Sequence, residues 1–271
     1  MAAVRWRLIT SPPAAGAENM ALDEAILEGV AAGESPPTLR LYAWTPPCLS
    51  LGHAQSIDAV DLDNLGELGW DLVRRPTGGK AILHTDELTY SVAGNAADPL
   101  FAGGVLASYE RLSAALLRGL QLLGLGAELR LSPKPSPSEN GSSPICFEVP
   151  GPYEITWAGR KLLGSAQRRR SGAVLQHGSL PLAGDLGRIC SVLRLPDREQ
   201  ATRRVRRAAA TIEQALGRWI GWETAATALA TGFREALELE LMEGPPTRAE
   251  ARRSEQLSAE RHSLAEGPVR R

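Results

Sequence analysis

Two residues in this chain have the types and the spacing for covalent chemistry: Cys146 in SPICFE and Lys161 in GRKLLGSAQ. A thiolate is the reactive form of cysteine, and a neighbouring cation favours it. Cys146 lies between a Pro/Ser-rich loop and a strand, where a substrate has access. Lys161 follows one strand and one turn later, close enough in sequence to fold back beside the thiol. Lysine is also rare here. Of 30 Lys+Arg residues only Lys80, Lys134 and Lys161 are lysine. Arginine serves wherever a fixed charge suffices, so a retained lysine points to work that a compact, titratable amine does better. The bland alternatives are a chance survivor for the lysine and a buried, inert thiol for the cysteine. Cys48, beside two prolines, and Cys190, in the apolar ICSVL, have no such partner and read as packing residues.

Other polar residues are candidates with weaker signals. TGGK at 77–80 is not a phosphate loop, because that motif requires Gly at 74 and Ser or Thr at 81, where this chain has Arg and Ala. Gly78 and Gly79 can still bring backbone N–H groups close to a ligand, or form a simple hairpin turn. Arg74 and Arg75 stand at the mouth of that turn, either to hold an acidic group or as surface strand residues. His84, with Asp86 two residues on, has the composition of a base with an orienting carboxylate. The commoner case is a strand-end histidine bonded to backbone. His177 in LQHGSL, next to Gln176, shares the ambiguity. GLG at 124–126 follows a helix, so it is no dinucleotide fingerprint. No HExxH spacing occurs, and three cysteines without CxxC pairs argue against zinc and against a disulfide framework.

The elements that must position these groups follow from periodicity. Helices are expected at Glu18–Gly29, capped by Asn19, at 58–68, and at Gly104–Leu123, where leucines recur at three and four. Strands are expected at 38–44, at 48–55, up to Arg75, from Lys80 to His84 and from Leu88 to Ala93. The loop SPKPSPSENGSSP is long enough for a lid. A meander from Tyr153 to Leu182 then carries Lys161. Along its second strand, Lys161, Leu163, Ser165 and Gln167 share one parity, and Leu162, Gly164 and Ala166 the other. The chain is helical after Gly184, with Thr211 and Gln214 resembling a capping box, and a last helix is expected to run from about Glu223 to Leu241. From 246 onward the polar, aromatic-free sequence predicts a disordered or loosely helical tail. The reading is therefore one α+β domain over 1–245, with a mixed, largely antiparallel sheet flanked by helices, and a tail over 246–271.

Composition narrows the class. With 43% hydrophobic residues over 271 positions the chain can build a sizeable core. A formal net charge of -1 gives no basic excess for a dedicated nucleic-acid binder, and RRVRR at 203–207 reads as a solvated helix face. No apolar run reaches a membrane span, and the N-terminus lacks the long apolar stretch of a secretory signal. A cytoplasmic protein with reduced thiols is expected.

Four blocks, RRPTGGKAILHTDELTYSV, PICFEVPGPYEI, GRKLLGSAQRRR and VLQHGSL, resemble the biotin/lipoate protein ligase superfamily in content and order. Within it they are most similar to the LipM-type octanoyltransferases, over about residues 1–245. The resemblance implies a class II synthetase-related catalytic fold, with an acyl chain in a tunnel against the sheet. It further implies that Cys146 takes an octanoyl group from octanoyl-acyl carrier protein and passes it to a lysine of a lipoyl domain such as the glycine cleavage H protein. Lys161 matches the superfamily lysine that steadies the carbonyl and assists the thiol. Lys80 stands where the LipM group commonly has arginine. Arg74, Arg75, Gly78, Gly79, Lys80, His84, Gly164, Gln176, His177, Gly178 and Ser179 are the candidates for contacting the acyl substrate. The backbone N–H groups near Gly78, Gly79, Gly178 and Ser179 are the expected pocket donors. A thioester is already activated, so no cofactor or metal is expected, and the enzyme is expected to act as a monomer. The alternatives are an ATP-dependent lipoate ligase, an amidotransferase between lipoyl domains and a non-catalytic lipoyl-domain binder.

Overall fold

A computed structural model describes residues 4–126, 129–131, 143–148 and 154–262. Strands β1 (Val4–Thr10), β2 (Thr38–Tyr42), β6 (Glu87–Asn95), β7 (Leu129–Leu131), β8 (Ile155–Trp157), β9 (Arg160–Arg170), β10 (Ala173–Pro181) and β11 (Leu239–Glu243) form one eight-stranded sheet. Its order is β11-β1-β2-β6-β10-β9-β8-β7. β1 is parallel to both β11 and β2, and the remaining pairs are antiparallel, so the sheet is mixed and largely antiparallel, as expected. A second sheet joins β3 (Cys48–Leu51), β4 (Asp71–Arg74) and β5 (Ile82–His84) in the order β4-β3-β5.

The meander owes its register to two tight turns. Ala158-Gly159 has φ of 49° and 75°, and Ser171-Gly172 has φ of 51° and 77°. Two successive positive φ values match the twist of the flanking strands and hold β8, β9 and β10 in a fixed alignment. The two faces of the sheet bury different helices. Leu39, Leu41, Val92, Val174 and Leu180 pack with Leu112, Leu116 and Leu120 of α3 (Gly104–Leu122) and with Leu229 and Phe233 of α6 (Trp222–Leu237). On the opposite face Ile9, Ala93, Ala173 and Leu175 pack with Ile26, Leu27 and Val30 of α1 (Gly16–Ala32). The small sheet has its own core, closed by the 3₁₀ segment Leu186–Val192 and by α4 (Arg198–Ala208).

Several expectations give way to tertiary context. Asn19 does not cap α1. It lies inside the helix, fully buried, and its amide donates to the carbonyls of Ala14 and Ala43, while Glu18 accepts from Ala15 N–H at the helix start. The N-terminal segment, for which no element was expected, forms the strand β1. The last long helix stops at Leu237, because Glu238 turns into the left-handed region and Leu239–Glu243 becomes β11 beside β1. Gly78 and Gly79 are not a hairpin turn, since β3 lies between β4 and β5. Lys80 precedes its strand, which starts at Ile82. The tail is ordered over α7 (Arg248–Leu257), where Thr247 and Glu250 form a capping box and Leu257 packs on Ala21 and Ala25 of α1. The Pro/Ser-rich loop over 132–142, Tyr153 and residues 263–271 lie outside the described residues. Among the described residues no helix is long and apolar enough to cross a membrane.

Candidate active site

Backbone pairing fixes the two reactive side chains. Ala81 forms a parallel bridge with Ile145, and Cys146 N–H donates to Ala81 O at 3.0 Å. This anchors the one-turn 3₁₀ segment Cys146–Glu148 against the loop that precedes β5. Lys161, near the start of β9, is held by Ala210 N–H donating to its carbonyl at 2.9 Å.

A β-bulge then decides where Lys161 points. Ile155 pairs with Leu163, but Thr156 pairs with Lys161, so one step along β8 spans two residues of β9 and Leu162 is the extra residue. The bulge breaks the alternation. Lys161 leaves the face of Leu163 and Ser165, where simple parity puts it, and lies across Gly164. A Cβ at Gly164 would sit 2.8 Å from Lys161 Cε and 3.1 Å from Nζ, so only glycine leaves the lysine this path.

The result is a compact charge cluster. Lys161 Nζ donates to Cys146 Sγ at 3.4 Å, to Cys146 O at 3.0 Å and to Glu154 Oε1 at 2.7 Å. An ammonium has three donors, and here each has an acceptor. The Phe147 ring lies 5.3 Å from the same nitrogen. Lys161 is 1% exposed. Burial alone works against its charge, but the neighbouring Cys146 and Glu154 outweigh it and hold its pKa above the ordinary lysine value. Cys146 itself is half-buried and reachable.

Cys146 opens onto a narrow, mostly apolar pocket lined among others by Met20, Tyr42, Trp44, Ile82, Gly164 and Ala166. Its floor is one row across the sheet. Gly164, Ser179, Thr89 and Tyr42 are successive register partners on β9, β10, β6 and β2. The row grows in side-chain size away from the sulfur. The hydroxyls of Ser179 and Thr89 both donate to Glu87, so they add no unsatisfied polarity to the floor.

The remaining sequence candidates separate into those that line the pocket and those that do not. Arg75, Gly79, His84, Gly164, His177, Gly178 and Ser179 line the pocket. Arg75 is buried and donates to the carbonyls of Ser50, Gly78 and Lys80, so it braces the glycine loop rather than standing on the surface. His84 does not pair with Asp86, which binds Arg188. Its Nδ1 meets Glu87 at 2.7 Å, its Nε2 meets Ser50 at 2.8 Å, and its ring stacks on Trp44 at 4.0 Å. His177 Nε2 meets Thr77 Oγ1 at 2.6 Å, and its Nδ1 faces Asp23 at 3.4 Å. Burial pushes the His177 pKa down, Asp23 opposing, which leaves it neutral near pH 7. Asp23 also binds Arg40, Tyr42 and Ser91, completing a buried polar network beneath the pocket.

Arg74, Gln176 and Lys80 lie outside the pocket lining, and Gly178 and Ser179 line it without supplying donors. Arg74 donates to the carbonyls of Gly52, His53 and Gln55 and holds that loop. Gln176 faces α3, where it joins Gln167 and Tyr90 in a hydrogen-bonded chain. Gly178 and Ser179 sit in ladders on both sides, so sheet pairing engages their amides and they are not the expected donors. Lys80 is half-buried at the loop end, outside the pocket lining, and its carbonyl accepts from Arg75. The sequence reading missed Glu154, Asp23 and Glu87. The available signal was a lone acid in an apolar setting, such as Glu154 ahead of Ile155, Thr156 and Trp157. Among the described residues no three His, Cys, Asp or Glu side chains gather as a metal site.

Comparison with known proteins identifies the family. The sequence model of the lipoyl protein ligase A/B catalytic domain matches residues 15–234. The chain is 42% identical over 258 residues to an octanoyltransferase LipM of Symbiobacterium thermophilum, covering 93% of each chain. It is 40% identical over 263 residues to that of Moorella thermoacetica, covering 96% of each. Among solved structures it is similar to a lipoate-protein ligase A bound with ATP, with a TM-score of 0.77, 25% identity and coverage of 94% and 95% of the two chains. It is also similar to a putative lipoate protein ligase from T. acidophilum with bound lipoic acid, with a TM-score of 0.74, 25% identity and coverage of 93% and 94%.

Proposed function

The chain belongs to the lipoyl protein ligase A/B catalytic-domain family and catalyses octanoyl transfer in lipoate biosynthesis, and from that premise we propose that the transfer passes through a thioester on Cys146. The Cys146 thiolate attacks the thioester carbonyl of octanoyl-acyl carrier protein. The new C–S bond forms as the carrier's C–S bond breaks, and the carrier thiolate leaves and takes up a proton. The octanoyl chain then lies in the apolar pocket along the Gly164–Ser179–Thr89 floor. The neutral amine of a lipoyl-domain lysine attacks the same carbonyl. An amide forms, the second C–S bond breaks, and the amine's proton returns to solvent as the Cys146 thiolate is regenerated.

The observation that carries this reading is the 3.4 Å contact between Lys161 Nζ and Cys146 Sγ at the mouth of that pocket. It supplies a counter-charge to the nucleophile where substrate arrives. The glycine cleavage H protein as acceptor, a monomeric enzyme and a cytoplasmic site of action complete the proposal.

Mixing the enzyme with octanoyl carrier protein should give one octanoyl adduct, on Cys146, by mass spectrometry. Cys146→Ser should lower transfer by about 10³-fold or more while the melting temperature stays close to that of the parent. The solved relatives that are ligases favour one rival, acyl adenylate formation. Activity with free octanoate, ATP and Mg²⁺ that survives Cys146→Ser would replace the thioester route.

A further inference from the structure

The charge cluster changes when the sulfur is acylated. In the free enzyme Lys161 Nζ faces the Glu154 carboxylate at 2.7 Å and the Cys146 sulfur, the thiolate of the proposed route, at 3.4 Å. Acylation converts the thiolate to a neutral thioester. Lys161 stays 1% exposed, and a buried ammonium without a counter-ion sheds its proton. Its nitrogen would then be a free amine beside a thioester, 3.4 Å from the sulfur that carries the acyl carbon. That is the geometry for an intramolecular S-to-N shift. The amine would attack the carbonyl, the C–S bond would break, the amine proton would pass to the sulfur, and the enzyme would be left with a dead-end octanoyl amide on its own lysine.

We infer that Glu154 is the positioning residue that keeps Lys161 cationic through the acyl-enzyme stage, so that the lysine steadies the octanoyl group and does not capture it. The inference rests on the Cys146 thioester of the preceding section. Among the described residues, the other titratable groups around the cluster do not substitute for Glu154. Arg75 is a cation near Cys146, and adds no negative charge. Tyr90 and Tyr109 are buried, and burial raises both hydroxyls, Tyr90 to about 12, so they stay neutral. Glu148 is paired with Arg204 on α4. Glu154 is thus the carboxylate whose ion pair with Lys161 does not depend on the state of the sulfur.

The test compares wild type with Glu154→Gln, which keeps the shape and removes the charge. Each is loaded with octanoyl carrier protein, treated with neutral hydroxylamine, which cleaves thioesters and spares amides, and mapped by peptide mass spectrometry. Wild type should carry label that is wholly hydroxylamine-sensitive on Cys146 at pH 7 and at pH 9. In Glu154→Gln the resistant share, mapped to Lys161, should rise at least tenfold, with the Cys146 thiol again open to alkylation. Glu154→Asp should restore the sensitive pattern. A Glu154→Gln enzyme that holds a stable Cys146 thioester overturns the inference, as does a Lys161 amide in wild type, which needs no variant to fold. Absence of any Cys146 adduct in wild type would instead overturn the thioester reading on which it rests.

Discussion

At the level of single residues, Gly164 and Lys161 act as a pair. The lysine reaches the sulfur because nothing projects from position 164. Gly164→Ala is expected to push Nζ away from Cys146 and to lower kcat by roughly 10²-fold, the usual consequence of an ångström of misplacement at a reacting centre. Stopped-flow acylation and a thermal melt together check this, since full acylation rate in a folded variant would show that the lysine reaches the sulfur by another path. The pairing of Cys146 with Lys161 was legible in the sequence from residue type and spacing. The side of the strand was not. Parity along Lys161, Leu163 and Ser165 put the lysine on the wrong face, because a bulge is set by the partner strand as much as by the strand that carries it. His84 shows the same limit. Its nearest acid in the sequence reading was Asp86, whereas the turn after β5 delivers Glu87 instead.

Among the elements, α7 shows where composition misleads. Its residues are polar enough to suggest disorder, yet Glu250 accepts two hydrogen bonds from Arg7, at 2.6 and 2.8 Å, and one from Ser35 at 2.7 Å. A tail that reads as solvated by itself becomes ordered once β1 presents an arginine, and that pairing spans most of the chain. Breaking the pair with Glu250→Ala should cost about 3 kcal/mol, the range for stranding one member of a buried ion pair, and urea titration would measure it. The pH dependence follows the same contact. Burial raises the Glu250 pKa, but the bonds from Arg7, Thr247 and Ser35 outweigh it and hold the value below the ordinary 4.5. A lowered folded pKa means the contribution is complete above the unfolded value and is lost as pH falls through the folded one. Protection factors of the α7 amides, which remove the intrinsic pH dependence of exchange, should therefore be steady from neutral pH to about the ordinary glutamate range, and fall below it. The helices and the meander were legible from periodicity and turn residues. β1 and β11 were not, because β11 is short and β1 is fixed by the partners on its two sides, β2 and β11.

On the scale of the whole molecule, the pocket crosses four strands from the sulfur to Tyr42, with Met20 of α1 among its walls. Three strand spacings come to about 14 Å. An extended octanoyl chain on the sulfur reaches about 10 Å from single bonds of ~1.5 Å, and the terminal methyl adds its own radius. The row is long enough for the chain, with Met20 among the walls, so Met20→Ala should raise kcat/KM for decanoyl over octanoyl carrier protein by roughly tenfold, two methylenes at ~0.8 kcal/mol each. An unchanged ratio in competition assays would mean the chain takes another path. The large sheet has one further consequence. Its first strand, β1, lies beside its last, β11, across some 235 positions. On a ribosome adding 5–20 residues per second, β1 waits on the order of tens of seconds for that neighbour. During that interval one edge of the nascent sheet is bare, and this is the period when the newborn chain depends most on chaperone cover.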